Sequence, residues 1–522
     1  MRELDLLVIG SGISGLSAAL SAKKEGANVL IATKGVPTKN NSVMAQGGIN
    51  AALGNVEEDS IKSHIQDTLK AAHALAKEEM VELLCKEAIE AIWFLEQIGV
   101  PFSRIDGAKE PLKSIAQRKL GGASSKRACY AQDYTGLKIL HTLLDRVVNQ
   151  DIQIRDGLFL LELIKDSNSE VCGALFFNFN SGNLEPIYAK RVLLATGGYG
   201  GIYSKNTNSY GSSGDGVAVA LRGGATLSNM EFVQFHPTSI KGSNILISES
   251  ARGEGGYLVN SKGERFVDEL APRDIVASAV FRQISMGNRV YLDLRYIGAK
   301  KLNELMPQEL KLIKTYANVD ATTSLVEIEP AVHYSMGGIS IDSSFRVKNL
   351  KNLFAVGECS DAMVHGANRL GGNSLLEAVA FGVLSSKRAL GVNSHASKEE
   401  INYTLPIKED NSKEIFKAKE TLGEILFNNV GLIRDEDGLK EALNKLNSLN
   451  TNLTISGNLK YNTTLIELLE LKNSHLLAKA ITICALNRKE SRGAHIRSDY
   501  PNEEESFKRP SFITLKEIEG AN

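Results

Sequence analysis

The sequence predicts an α/β protein in which a discontinuous parallel sheet carries an inserted α+β segment and is followed by a helical region. Three observations predict this. The chain opens with an apolar run "LDLLVIG", an Ala-rich stretch "SGLSAALSAKKEG" and a second apolar run "ANVLIATK", which together read as strand, helix and strand. Two later runs, "RVLLATGGYGG" near residues 191–201 and "KNLFAVGECSD" near 350–361, share one design: an apolar strand ending in a Gly-containing turn. Beyond about residue 395 the texture changes to Lys, Glu, Leu and Asn at helical spacing, through "LLAKAITICALNRKESRG".

The strands lie far apart in the chain, so one sheet must be assembled from residues 1–228 and 336–394. Residues 229–335 hold short mixed elements with many polar side chains, as expected of an inserted α+β domain. Residues 395–522 form the helical region, with "PIKEDNSKE" as a linker. There is no internal repeat and no low-complexity tract.

Composition narrows the classes. A chain of 522 residues exceeds one ordinary domain, so two or three are expected. Lys+Arg number 60 against 61 Asp+Glu, a net charge of -1 that gives no footprint for nucleic acid. The five cysteines, Cys85, Cys129, Cys172, Cys359 and Cys484, are scattered without a CxxC pair. That argues against a zinc site or iron–sulfur cluster within this chain and fits reduced cytoplasmic thiols. "MRELDLLVIGSG" runs straight into a strand, without the pattern of a signal sequence. No apolar run approaches the ~20 residues of a membrane span, although attachment through a partner stays open.

The first chemical motif is Gly10-Ser-Gly12-Ile-Ser-Gly15, between the first strand and the helix. Gly10 suits a tight turn, Gly12 the approach of a pyrophosphate, and Gly15 close helix–strand packing, with the helix N-terminus facing the phosphate charge. The second strand ends in Thr33 where the general fingerprint has an acid. The turns after Ala195-Thr196-Gly197 and before Glu358 lie at strand carboxyl ends, where such sheets place ligands, and Glu358 suits a ribose hydroxyl. The inserted segment adds His236, Ser248, Glu249, Arg252, Glu254, Arg273 and His333, and Arg369 follows in "HGANRLGGNSLLE". Arginines, histidines and hydroxyls in Gly-rich surroundings are what a dianionic substrate requires. The histidines lack HxH or HExxH spacing, so no metal is expected, and no G-x-S-x-G elbow is present. His64, His73, His141 and His365 are expected in packing or surface roles.

Together "VIGSGISGLSAA", "AQGGINAAL", "LLATGG", "GDGVAVA", "EFVQFHPT", "RGEGGYLVNSKGERF", "APRD", "HYSMGGI", "GECSD", "HGANRLGGNSLLE" and "ESRGAHIRSDYP" span residues 6 to about 501. The chain resembles the flavoprotein subunits of fumarate reductase and succinate dehydrogenase, and their relative L-aspartate oxidase. The resemblance implies a Rossmann-like FAD-binding domain, an inserted capping domain and a C-terminal helical domain. It implies FAD contacts from Gly10, Gly12, Ser14, Gly15, Thr33, Lys34, Ser42, Gln46, Gly47, Gly48, Ala195, Thr196, Gly197, Asp215, Glu358, Ser374 and Leu375. It implies that His236 and Ser248 bind one substrate carboxylate, Ser248 standing where Thr is usual, and that His333 and Arg369 bind the other. Arg273 would deliver the proton, supplied through Glu249 and Arg252. The substrate implied is a C4 dicarboxylate, with an iron–sulfur subunit or another electron donor as partner and a cytoplasmic location, peripheral to the membrane if partners attach it.

Two positions pull in different directions. Asn41 stands where the membrane-linked members carry a histidine bonded to FAD, and an amide cannot form that bond, so FAD is expected to be non-covalent, as in L-aspartate oxidase. Leu120, in "AQRKLGGAS", stands where the oxidase carries a glutamate suited to the substrate ammonium. An apolar side chain there favours fumarate and succinate.

Overall fold

The computed structural model describes residues 3–394, 399 and 401–521. The expected start of the helical region, residue 395, lies outside them. A five-stranded sheet is built from β1 (Leu6–Ile9), β2 (Val29–Ala32), β3 (Gln153–Arg155), β4 (Val192–Leu194) and β5 (Leu353–Ala355), in the order β5-β4-β1-β2-β3. Every pairing is parallel, and Ile9 sits level with Ala32 and Leu194, and Leu194 with Ala355. The strands β5, β4, β1 and β2 are buried along their whole length, as parallel strands covered on both faces must be. β3 is an added edge strand. Its residues Gln, Ile and Arg are exposed or half-buried, so no apolar run announced it.

Helix α1 (Ile13–Lys24) follows β1 directly. Gly10 has φ +118°, and a Cβ there would stand 2.1 Å from Ala195 O. A Cβ at Gly15 would stand 2.0 Å from Gly10 O. The turn and the helix–strand contact therefore both require glycine. A three-stranded antiparallel sheet, Leu158–Lys165, Val171–Asn178 and Asn183–Tyr188, lies between β3 and β4 in the chain.

The inserted segment has its own four-stranded sheet, in the order Val233–Ile240, Val326–Ser335, Val290–Asp293, Tyr257–Asn260. Around it are α2 (Glu249–Gly253), α3 (Arg273–Ser285) and α4 (Pro307–Ala317). Ile240, Leu258, Val280, Leu292, Ile313 and Ile328 belong to a core of their own. The two long strands run out of it, because Val233, Phe235 and Val332 lie in the main core. His236 and His333 sit where these strands cross from one core to the other.

Helix α5 (Asn373–Leu390) packs on α1, and a Cβ at Gly382 would stand 2.8 Å from Ser14 O. The C-terminal helices α6 (Ser412–Asn429), α7 (Glu436–Ser448) and α8 (Thr463–Asn487) bury Leu422, Leu439, Leu465 and Leu477 in the same main core as the parallel sheet. The short strand Phe512–Ile513 pairs antiparallel with Leu227–Ser228. The end of the chain is thus stitched back onto the sheet-bearing region. Among the described residues no helix is long and apolar enough to cross a membrane.

Candidate active site

The carboxyl ends of β1, β2, β4 and β5 converge over the N-terminus of α1. No side chain caps that terminus at Gly12, which leaves its N–H groups and dipole for an anion. A Cβ at Gly12 would approach only Ser42 Oγ, at 3.3 Å, and one at Gly197 would meet nothing within 4 Å. Gln46 Oε1 and Thr196 Oγ1 are buried without hydrogen-bond partners. An open cradle with orphaned polar atoms at its wall is what a dinucleotide needs, and these residues fit FAD.

The loop before β-residues Ile49 and Asn50 is firmly anchored. Ser42 Oγ accepts from Ile13 N at 3.2 Å, Ala45 O accepts from Gly136 N at 2.7 Å, and Gln46 O accepts from the Thr135 hydroxyl at 3.2 Å. Asn41 Nδ2 donates to Asn208 Oδ1 at 2.8 Å, and its Oδ1 accepts from Ser209 N at 2.6 Å. Both ends of this amide are therefore engaged by the 206–209 loop.

Thr33 Oγ1 lies 2.9 Å from Ser11 Oγ. Lys34 Nζ donates to Gly211 O, Ser213 Oγ, Asp215 Oδ2 and Glu470 Oε1 at 2.7–3.0 Å. Burial pulls the Lys34 ammonium down, but Asp215 and Glu470 outweigh it and hold it above its ordinary value. Lys34 and Asp215 thereby tie the loop after β2 to α8. Glu358 Oε1 accepts from Ser335 N and Oγ at 3.0 and 3.1 Å, and burial pushes its carboxyl up to about 7.

Beside the cradle, the inserted segment and the sheet-bearing region contribute one charged cluster. Arg273 is the first residue of α3, and its side chain is held from two sides. Its Nε and Nη2 donate to Glu249 Oε2 at 3.2 and 2.9 Å, and its Nη1 donates to Gln234 Oε1 at 3.0 Å. Arg252 Nη2 donates to Glu249 Oε1 at 3.3 Å, and its Nη1 donates to Glu269 O. Burial alone would raise the Glu249 carboxyl, yet Arg273 and Arg252 hold it below its ordinary value. Two glycines clasp the same carboxylate: a Cβ at Gly121 would stand 2.4 Å from Oε1, and one at Gly371 2.4 Å from Oε2. Both Glu249 and Arg252 are buried, so Arg252 does not itself reach solvent.

Arg369 lies opposite Arg273. Its Nη2 donates to Gln234 Oε1 at 3.1 Å and its Nη1 to Ser374 Oγ at 2.9 Å, and its guanidinium covers the Tyr334 ring at 4.1 Å. Burial and the nearby Arg273 push it down to about 10. The rings of His236 and His333 meet edge to face, 5.0 Å between centroids. Burial and the arginines hold both well below the ordinary histidine value, so both imidazoles are neutral near pH 7. Ser248 Oγ accepts from Ser250 N and from the Ser250 hydroxyl, at 3.2 and 2.8 Å, which leaves its own O–H to donate. Leu120 and Ser248 meet over Gly47, where a Cβ would lie 3.6 Å from Leu120 Cδ1 and from Ser248 Oγ. Leu375 is buried on α5.

Arg273, Glu249, Arg252, His236, Ser248, His333, Arg369 and Leu120 are thus gathered in one place. Three neighbours escaped the sequence reading. Gln234 accepts from both arginines, Thr207 Oγ1 lies 2.8 Å from His333 Nδ1, and Tyr334 underlies Arg369. Gln234 stands two positions before His236 in "EFVQFHPT" and Tyr334 directly after His333 in "HYSMGGI", which are the available signals. Of the histidines set aside, His365 is buried with Nε2 at 2.8 Å from Glu377 Oε2, and His64 Nε2 is 2.9 Å from Asn373 Oδ1.

Comparison with known proteins agrees with this architecture. Residues 5–375 match the FAD binding domain family, and residues 419–519 match the fumarate reductase flavoprotein C-terminal family. The succinate dehydrogenase flavoprotein subunit of Rickettsia felis is 37% identical over 547 residues, covering 96% of this chain and 91% of that protein. An uncharacterised FAD-dependent oxidoreductase of Methanocaldococcus jannaschii is also 37% identical, covering 99% and 97%. A variant of the E. coli quinol fumarate reductase FrdA superposes with a TM-score of 0.89 at 32% identity, over 98% of this chain and 94% of that one. The chain belongs to the succinate dehydrogenase/fumarate reductase flavoprotein subunit family and is an FAD-dependent oxidoreductase.

Proposed function

We propose that the protein interconverts fumarate and succinate, with the charged cluster holding the dicarboxylate against the flavin-side loop. When bound, FAD supplies the hydride donor and acceptor at N5. Arg369 and His333 hold one carboxylate; His236 and the Ser248 hydroxyl hold the other. Clamping both ends fixes the double bond over Gln46, Gly47 and Gly48. The positive charge of Arg369 favours electron density that moves toward its carboxylate as hydride arrives. Arg273 delivers the proton to the neighbouring carbon, and Glu249 and Arg252 restore it. Arginine is an unusual acid; here its guanidinium is fixed by Glu249 and Gln234.

The observation that carries this reading is the pair of clamps beside an apolar Leu120. The carboxylate between them, Glu249, is already engaged by Arg273 and Arg252, which leaves it poorly suited to a substrate ammonium. Steady-state turnover of fumarate with a reduced dye, set against iminoaspartate formation from L-aspartate, tests it. Equal efficiency on L-aspartate would make the protein an L-aspartate oxidase. Asn41 supports that second reading, since it removes the covalent tether to FAD.

Two further expectations follow from the same residues. Acid precipitation is expected to leave the flavin in the supernatant, because the Asn41 amide cannot form a bond to it; flavin in the pellet would overturn this. Dicarboxylate binding near pH 7 is expected to take up about one proton, because a dianion beside His236 and His333 favours their charged forms. Binding heats measured in two buffers of different ionisation enthalpy read that uptake directly, and equal heats would show that both histidines bind as neutral N–H donors or not at all. An iron–sulfur subunit or another electron donor would complete the system, and attachment to a membrane would be peripheral, through such partners.

A further inference from the structure

A second titratable cluster lies behind the substrate clamp, on the seam between the inserted segment and the flavin-side loops. Glu309, in the first turn of α4, is buried, and its Oε1 accepts from the backbone N–H of Ser248 at 2.5 Å. Asp133, fully buried in the loop before the helix Thr135–Asn149, accepts from the backbone N–H of Glu309 at 2.9 Å. Met306, at the N-cap of α4, makes no side-chain cap bond. Asp133 therefore caps α4 from the other side of the seam.

Each carboxyl keeps one buried oxygen without a partner, Glu309 Oε2 and Asp133 Oδ1. The cation facing them is Arg118. Its Nη2 donates to Gln132 O at 2.7 Å and its guanidinium stacks 3.6 Å over the Tyr130 ring, while its Nε and Nη1 are unpartnered. It makes no ion pair with either carboxylate, and Glu254 is a further acid in its field. Two buried like charges without an ion-pairing partner are costly, so one of the pair must carry a proton. Each carboxyl accepts one backbone N–H and burial raises both, but Asp133 caps the positive end of α4, which favours its ionised form. The proton falls on Glu309.

We propose that protonated Glu309 is a positioning residue: it holds Ser248 and the start of α2 in the clamp and, with Asp133, latches the inserted segment to the flavin-side loop. Loss of the proton sets Glu309 against Asp133 and loosens the latch. Burial first and Asp133 second push the Glu309 carboxyl up to about 8. The folded arrangement therefore favours the protonated acid, and its advantage fades as pH rises through that value.

The clamp role of Ser248 rests on the function proposed above, so the test has one arm that does not. In infrared difference spectra, the wild-type protein is expected to show a protonated carboxyl band that disappears with a midpoint of about 8 and is absent from E309Q. In the kinetic arm, the wild-type KM for fumarate is expected to rise by up to about tenfold per pH unit above that midpoint. E309Q mimics the protonated acid, since its amide oxygen accepts from Ser248 N–H and its amide hydrogens face Asp133. Its KM is expected to stay flat over the same range, whereas E309L raises KM at every pH. A band that persists unchanged in E309Q, or an E309Q profile that rises like the wild type, overturns the proposal. A titrating band in a protein that does not turn over fumarate would sink the proposed function and leave Glu309 as the latch.

Discussion

Arg273→Ala is expected to lower fumarate turnover by about a thousandfold or more while KM changes by less than about tenfold. The side chain is held from two directions, by Glu249 and by Gln234, and the substrate clamps are built from other residues. Removing it therefore deletes the proposed acid and leaves Arg369, His333, His236 and Ser248 to bind. Arg273→Lys keeps a charge but not the fork, because an ammonium cannot bond Glu249 through two nitrogens while reaching Gln234. A stopped-flow comparison of flavin reoxidation by fumarate isolates this step. Unchanged reoxidation with a raised KM would place Arg273 among the binding groups instead.

Gly371→Ala is expected to cost about a hundredfold or more in turnover, with FAD still bound and the protein still folded. The new methyl would stand 2.4 Å from Glu249 Oε2, well inside contact distance. Glu249 ends in a flexible chain, so the backbone can stay in place while the carboxylate retreats. That retreat breaks its bonds to Arg273, and with them the proposed proton supply. Visible flavin spectra and thermal unfolding measured on the same sample separate the two effects. A variant that loses flavin or unfolds would show that Gly371 serves the fold rather than the relay.

The central sheet was legible because parallel strands covered on both faces are apolar throughout, as in "LLVI" and "VLL". The edge strand Gln153–Arg155 was not, since an edge tolerates polar residues and loses the pattern. The antiparallel sheet after it was missed because no chemical motif drew attention to it. At the site, residues in Gly-rich motifs stood out and fall in one cluster. Tyr334, although it lies in "HYSMGGI", and Thr207 had no readable role, because a ring beneath a guanidinium or a hydroxyl on an imidazole is set by tertiary contact. Glu309 gave no signal at all: in "MPQELKLIK" it reads as an ordinary acid in the first turn of a helix, and only its burial against Asp133 reveals it. The charge of His333 could not be read either, since it depends on neighbours far along the chain.

The two long strands that join the cores have one more consequence. Their ladder is irregular between His236 and Ser239, where Pro237 and Thr238 face the Pro330 region of the partner strand. Proline has no N–H to give to a ladder, so two prolines at one level leave a weak rung. A sheet bends most cheaply where its rungs are already missing. This rung lies at the seam between the two cores and next to both imidazoles. The sheet is therefore least stiff beside the two imidazoles, where the ladder that joins the cores is thinnest.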